Sequence, residues 1–211
     1  MTLAIGWATH EATKYACTHW HYSKSVPVGK LIKVGAWEDG RFIGVVIFSR
    51  GATPRIGMPY NLTQLECCEL TRVAMRPHKC FVSQVLAEAI KFLRKKCPEM
   101  KLIISYADIE QGHHGGIYQA TNWIYEGKTE RARYFIVNGK KTHPKSLHSK
   151  YRRKYEDFEQ SIEWVRKHVD PNASVYYDLG KHKYLFPLSK EMRKQIEPLK
   201  KEYPKRECVV L

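Results

Sequence analysis

Residues Val82, Val85, Leu86, Ala89, Ile90 and Leu93 recur at i, i+3, i+4, i+7, i+8 and i+11, which gives a helix one continuous apolar face. Lys91, Arg94, Lys95 and Lys96 crowd its last turn, where cations complement the helix dipole, and Pro98 ends it. Before it, Glu69–Met75 alternates polar and apolar residues like a strand and stops at Pro77; after it, Leu102–Ala107 is the mostly apolar run of a buried strand. A strand, a helix and a strand in so short a span predict a parallel pair joined by a right-handed crossover. That unit commits the chain to a mixed α/β (α+β) fold.

The flanking segments extend this core. Glu11–Trp20 reads as a short helix that opens into His19-Trp20-His21-Tyr22-Ser23-Lys24-Ser25, a loop entering a site. Lys30–Trp37 and Phe42–Ser49 are β-rich and are joined by Glu38-Asp39-Gly40-Arg41, where Asp-Gly supplies the positive φ angles of a tight hairpin. Gly116–Thr121 suits a short helix, and Asn122–Lys128 and Ala132–Val137 suit two closing strands that end at Asn138-Gly139. Composition shifts at Lys140, and a further amphipathic helix is expected around Phe158–His168. The expected division is a core over 1–139 and a basic C-terminal extension over 140–211.

Charge narrows the partners. Thirty-six Lys and Arg against 21 Asp and Glu leave +15, which favours an extended polyanion, although a solubilising surface or an anionic small-molecule site would also use it. The tract Lys140–Lys154 holds seven of these cations and no acid. No apolar run reaches membrane-spanning length, and the N-terminus lacks the basic and apolar regions of a secretion signal. Cysteines 17, 67, 68, 80, 97 and 208 show neither zinc-type nor disulfide-type spacing, so a reducing cytoplasm is expected, with Cys67-Cys68 packed in the core.

The order hairpin, strand, helix, strand, helix, strand from Lys30 to Val137 resembles the core of the GNAT acyltransferases, in which a splayed parallel pair opens a wedge and a helix N-terminus holds a pyrophosphate. Here that loop reads Arg76-Pro77-His78-Lys79-Cys80-Phe81-Val82-Ser83 and lacks the glycine-rich signature. Arg76, His78, Lys79 and Ser83 are the candidates to hold an acyl-CoA-like donor. A solvated basic turn with Ser83 as helix cap is the other reading.

Three segments carry a more specific likeness: Glu69-Leu70-Thr71-Arg72-Val73-Ala74, Ser105-Tyr106-Ala107-Asp108, and His114-Gly115-Gly116-Ile117-Tyr118-Gln119-Ala120-Thr121-Asn122-Trp123-Ile124-Tyr125-Glu126-Gly127. They resemble the Mom family of phage DNA-modification proteins over roughly residues 19–155, and the last ~55 residues match nothing in it. The resemblance implies conversion of adenine in double-stranded DNA to N6-carbamoylmethyladenine in the host bacterial cytoplasm, which shields phage DNA from restriction. It also implies an associated iron and roles for His21, Tyr22, Ser83, Asp108 and Tyr118.

The residue chemistry can be read beside this. Asp108 ends a buried strand, at the edge where open α/β sheets place ligands, and precedes the loop Gly112-His113-His114-Gly115-Gly116. A carboxylate there can accept a hydrogen bond from the adenine amino group and take its proton. Adenine N6 is out of reach inside a duplex, so the base must flip and stack; Tyr22, Tyr106, Tyr118 and Trp123 are candidate platforms, with Trp123 better suited to the core. His21, His114 and Asp108, with His19 and His113 nearby, are candidate metal ligands, though hydrogen-bonded or phosphate-contacting histidines fit equally simple chemistry. Arg131, Arg133, Lys150, Arg152, Arg153 and Lys154 are candidate phosphate contacts. Two other functions fit the same residues: a coenzyme-A-dependent N-acyltransferase acting on RNA or protein, and a non-enzymatic basic DNA-binding accessory protein.

Overall fold

A computed structural model describes residues 1–51 and 53–205; Cys208 and the end of the expected extension lie outside the described residues. The elements run β1 (Leu3–Trp7), α1 (His10–Trp20), β2 (Leu31–Glu38), β3 (Arg41–Ser49), β4 (Cys67–Met75), α2 (Val82–Lys96), β5 (Leu102–Asp108), α3 (Gly116–Gln119), β6 (Ile124–Lys128), β7 (Arg133–Val137), β8 (Lys140–Thr142), α4 (Pro144–Tyr151), α5 (Ile162–His168), β9 (Ser174–Tyr177), β10 (Lys181–Pro187) and α6 (Lys190–Ile196). They form two compact units, one of residues 1–107, 113–127 and 182 onward, the other of 108–112 and 128–181.

The first unit carries a seven-stranded mixed sheet in the order β1-β2-β3-β4-β5-β10-β6. Strands β1 to β4 are successively antiparallel, and β4 and β5 are parallel, as the strand-helix-strand pattern requires. The hairpin turns at Asp39 and Gly40, both at positive φ (49° and 79°). Helix α2 buries Val85, Leu86, Ala89, Ile90 and Leu93 against the sheet. Burial of its four large aliphatic side chains stabilises the packing by on the order of 6–12 kcal/mol. Helix α1 starts at Thr9, whose hydroxyl accepts from the Ala12 amide at 3.1 Å, and α6 starts at Ser189 in the same way. Cys67 and Cys68 are both buried.

The second unit is a three-stranded antiparallel sheet, β8-β7-β9, over a core of Phe135, Val137, Leu147, Trp164, Val165 and Ala173. Its buried acids answer backbone amides: Asp178 accepts from Ala132 (2.7 Å) and Gly180 (3.0 Å), and Asp170 from Asn138 (2.7 Å) and Asn172 (2.9 Å).

Two sequence expectations are corrected here. The chain does not divide at residue 140, because Lys181–Pro187 returns to the large sheet and inserts between β5 and β6. Its buried Tyr184 and Leu185 are hidden in a basic stretch, so composition masks a core strand. Strand β7, expected to close the main sheet, instead pairs with β8 and β9. Among the described residues no helix is long and apolar enough to cross a membrane.

Candidate active site

The ladder between the parallel strands β4 and β5 runs from Cys67↔Leu102 to Leu70↔Ser105 and stops there, although β4 continues to Met75 and β5 to Asp108. The expected fork is therefore present. A side chain occupies its apex: Ser105 is fully buried, its Oγ lies 2.9 Å from the Leu70 carbonyl and 2.8 Å from the Tyr118 hydroxyl. Ser105 has one proton, so the two contacts are satisfied together when Tyr118 donates to Ser105 and Ser105 donates to Leu70. The hydroxyl chain ties α3 to the last rung of the ladder.

Tyr118 itself belongs to the core. It is 8 % exposed, its ring packs on Trp123 and Tyr184 (centroids 4.9 and 5.0 Å apart), and burial pushes its phenol up to about 12. It is therefore not the exposed stacking platform that the sequence suggests, because the four-residue α3 turns that side chain inward. Trp123, an aromatic just after a short helix and so better suited to the core, is fully buried.

His21 caps the C-terminus of α1 and is 8 % exposed. Burial first, then the Arg72, His113 and Lys24 charges, pushes its pKa down to about 4, so the imidazole is neutral near pH 7. Its Nδ1 accepts the Ser23 amide at 3.1 Å and lies 2.8 Å from Ser23 Oγ, which places the ring proton on Nε2. His21 thus offers a hydrogen-bond donor, not a base. Its ring tilts against Tyr22 (4.3 Å), which in turn meets His113 edge-on (5.5 Å), while 49 % of Tyr22 remains exposed. An exposed aromatic ring supported by two imidazoles is suited to stacking a base.

The His113–Gly116 loop is held from behind. Tyr184 donates to the His114 carbonyl at 2.5 Å, Gln119 Nε2 lies 3.2 Å from both that carbonyl and Tyr184 Oη, and Gly115 sits at φ +85° over the tyrosine ring. Sequence reading missed Arg72, Ser105 and Tyr184. Ser105 and Arg72 stand within the quoted segments, yet only the ladder's end shows what Ser105 does, and the Arg72 charge facing His21 follows from folding α1 onto β4. Arg72 Nη1 binds the Thr71 carbonyl (2.7 Å), and its Nε is buried without a partner among the described residues.

In the second unit, Asp108 caps the short 3-10 helix Ile109–Gln111, accepting the Glu110 amide at 3.1 Å. Glu110 binds both Lys141 and the Tyr176 hydroxyl, and Lys141 lies between the Tyr134 and Tyr176 rings (4.3 and 4.7 Å). Arg131 spends Nε and Nη2 on the Asp178 and Tyr177 carbonyls, and Arg133 binds the Gln160 carbonyl and stacks on Phe135. Lys150, Arg152, Arg153 and Lys154 are all exposed and form no salt bridge among the described residues.

The expected donor-binding loop is arranged differently from the expectation. Arg76 lies over the Trp20 ring (6.0 Å), His78 Nδ1 turns back to the Arg76 carbonyl (2.6 Å), and the Lys79 and Cys80 amides are taken by the Glu38 carboxylate. Ser83 does not cap α2: Phe81 is the cap residue and Gln84 Oε1 accepts its amide at 3.1 Å. Ser83 lines instead a groove of about 410 Å³, with Lys91 and Arg94 of α2 facing Thr121, Asn122 and Phe186. The iron implied by family resemblance does not fit well: among the described residues no three His, Cys, Asp or Glu side chains are grouped as ligands, and His21 Nδ1 is already engaged.

No curated protein matches the chain. Among solved structures it is similar to an N-acetyltransferase from Staphylococcus aureus Mu50 (TM-score 0.49, 11 % identity, covering 89 % of this chain and 99 % of that one). It is also similar to the spermidine/spermine N-acetyltransferase SpeG from Vibrio cholerae in complex with manganese ions (0.47, 11 %, 91 % and 96 %). A third is PaiA N-acetyltransferase from Thermoplasma acidophilum in complex with coenzyme A (0.40, 16 %, 61 % and 94 %). The model of one family matches residues 2–205, so the likeness extends well past residue 155, into the C-terminal residues that the quoted segments left unmatched, and by that match the protein belongs to the Mom protein family.

Proposed function

We propose that this protein is a transferase that converts adenine in double-stranded DNA to N6-carbamoylmethyladenine. Membership of the Mom family supports a DNA-modification function. The observation that carries the site is the fork where the β4–β5 ladder ends at Leu70↔Ser105, together with the neutral His21 and half-exposed Tyr22 of the same unit.

In this reading the target base leaves the duplex, at a cost of a few kcal/mol, and stacks on Tyr22. His21 Nε2–H donates to a ring nitrogen of the base or a carbonyl of the donor, which orients but does not deprotonate. A bond forms between adenine N6 and the methylene carbon of an activated carbamoylmethyl donor. The bond from that carbon to the leaving group breaks, its electron pair departing with the leaving group, and one N6 proton is released to a general base, the part that the family resemblance implies for Asp108. Asp108 must first release the Glu110 amide or accept through its second oxygen. Tyr118 and Ser105 position the fork without touching substrate. Exposed Lys150, Arg152, Arg153 and Lys154 grip backbone phosphates, with Arg131 and Arg133 contributing only the donors their own carbonyl contacts leave over. The reaction takes place in the host bacterial cytoplasm during phage infection and shields phage DNA from restriction.

The test is expression in bacteria, digestion of plasmid DNA to nucleosides and mass measurement. A deoxyadenosine heavier by one carbamoylmethyl group is the expected result. Acetyl transfer to RNA or protein with unaltered deoxyadenosine would replace this reading with an acyltransferase, and salt-steep DNA binding without any base change would replace it with an accessory protein.

A further inference from the structure

The turn ahead of α2 has an occupant of its own. Three successive backbone N–H groups stand in the turn just ahead of α2, those of Lys79, Cys80 and the cap residue Phe81, beside the helix end where an anion is favoured. All three already donate to side-chain oxygens of this chain. Glu38 Oε1 and Oε2 each lie 3.1 Å from the Lys79 amide, Glu38 Oε1 lies 2.6 Å from the Cys80 amide, and Gln84 Oε1 takes Phe81. The carboxylate is brought there by a fixed backbone. Glu38 is the last residue of β2, in register with Leu3 on one side and Arg41 on the other. The turn beyond it is pinned by the Asp39 amide to the Thr2 carbonyl (2.9 Å) and by the Thr2 amide to Asp39 Oδ1 (2.7 Å). A carboxylate tethered this way competes for the amides at a high effective concentration, and any phosphate arriving beside it meets a like charge.

We propose that Glu38 is a specificity-determining residue: it fills the anion-holding turn before α2 and shuts out group donors that would be anchored there by a phosphate or pyrophosphate. The donor of this protein is then one that needs no diphosphate grip at Lys79 and Cys80. Of the three basic side chains that could have assisted such a grip, Arg76 lies over Trp20 and His78 turns onto the loop backbone, which leaves only the exposed Lys79. The proposal deepens the transferase reading by naming a donor class that is excluded.

The experiment measures binding of pyrophosphate and of coenzyme A by calorimetry, with the Lys79 and Cys80 amide resonances followed by NMR, on the wild type, Glu38→Ala, Glu38→Val and Asp39→Asn. Melting temperatures of the unliganded proteins verify folding, and Glu38→Val, which suits a strand and carries no acceptor, serves if Glu38→Ala does not fold. The expected result is no shift of the two amides in the wild type at millimolar ligand, and at least tenfold tighter pyrophosphate binding with shifts at both amides once Glu38 is replaced. Asp39→Asn removes the same formal charge from the same turn and keeps an oxygen for the Thr2 amide, so it should gain nothing. Wild-type binding that moves the Lys79 and Cys80 amides overturns the proposal, as does a folded Glu38 variant that gains no affinity or an equal gain in Asp39→Asn. None of these results depends on modified deoxyadenosine, so failure here and failure of the transferase reading are separate outcomes.

Discussion

Replacing Gly115 with alanine tests how the glycine loop is held. A Cβ at this position would lie 2.3 Å from Tyr184 Cε2, 2.5 Å from Cζ and 2.6 Å from the hydroxyl, and the backbone sits at φ +85°. Two costs follow. An alanine held in left-handed backbone geometry is worth about 1 kcal/mol, and forcing a methyl into a filled core costs about 1–3 kcal/mol more. The ring cannot simply swing aside: Tyr184 is fully buried, packed on Tyr118 (5.0 Å) and Tyr125 (5.2 Å), and its hydroxyl is fixed to the His114 carbonyl. The total of about 2–4 kcal/mol should lower the melting temperature by roughly 5–15 °C for a chain of this size. Tyr184→Leu removes the atoms that the new methyl meets. In the double variant, Gly115→Ala should therefore cost at least about 1 kcal/mol less than it does alone, measured as the coupling term of a urea-unfolding cycle. Strictly additive single effects, or a Gly115→Ala protein that melts with the wild type, would refute the packing argument.

Tyr118→Phe should cost about 1 kcal/mol, the net worth of its bond to Ser105, because Ser105 keeps the Leu70 carbonyl. It should leave modified deoxyadenosine detectable by mass, whereas Asp108→Asn should abolish it with the melting temperature nearly unchanged. His21 is held below its ordinary value of 6.5, at about 4, so as pH falls the unfolded chain takes up this proton first. Its contribution to stability is complete above pH 6.5 and is lost as pH drops toward 4. His21→Asn should flatten the pH dependence of urea unfolding across that window, and a slope equal to that of the wild type would rule out the burial argument. Changing Lys150, Arg152, Arg153 and Lys154 together to Gln should reduce the slope of log K against log[salt] for DNA binding by roughly 0.9 per lost phosphate contact. An undiminished slope would show that these side chains face only solvent.

How much of this could be read in the sequence depended on whether a signal was local. The α2 stripe, the Asp39-Gly40 turn and the Leu102–Ala107 run each carry their period or turn chemistry within a dozen residues, and each element formed where expected. Strand β1 has only five residues, with an interrupted burial pattern, and it becomes a strand by pairing with β2. β10 is disguised by its lysines and histidine. Both depend on partners far away in the chain, and no window of neighbouring residues can show that.

The site divides along the same line. His21 and Tyr22 could be singled out as chemically capable residues, but not that burial beside Arg72 and His113 keeps the imidazole neutral. Arg76, His78 and Lys79 have the composition of an anion site and stand at a helix start, and both facts are correct. What the proposal sets against them is a carboxylate 41 residues earlier, carried to the Lys79 amide by the register of a hairpin. A basic cluster thus reports where an anion would be attracted; whether the backbone amides are open to receive it depends on long-range pairing. Asp108 is the opposite case: the end of a strand fixes its position from local sequence alone, so its role can be tested by one substitution that leaves every strand register intact.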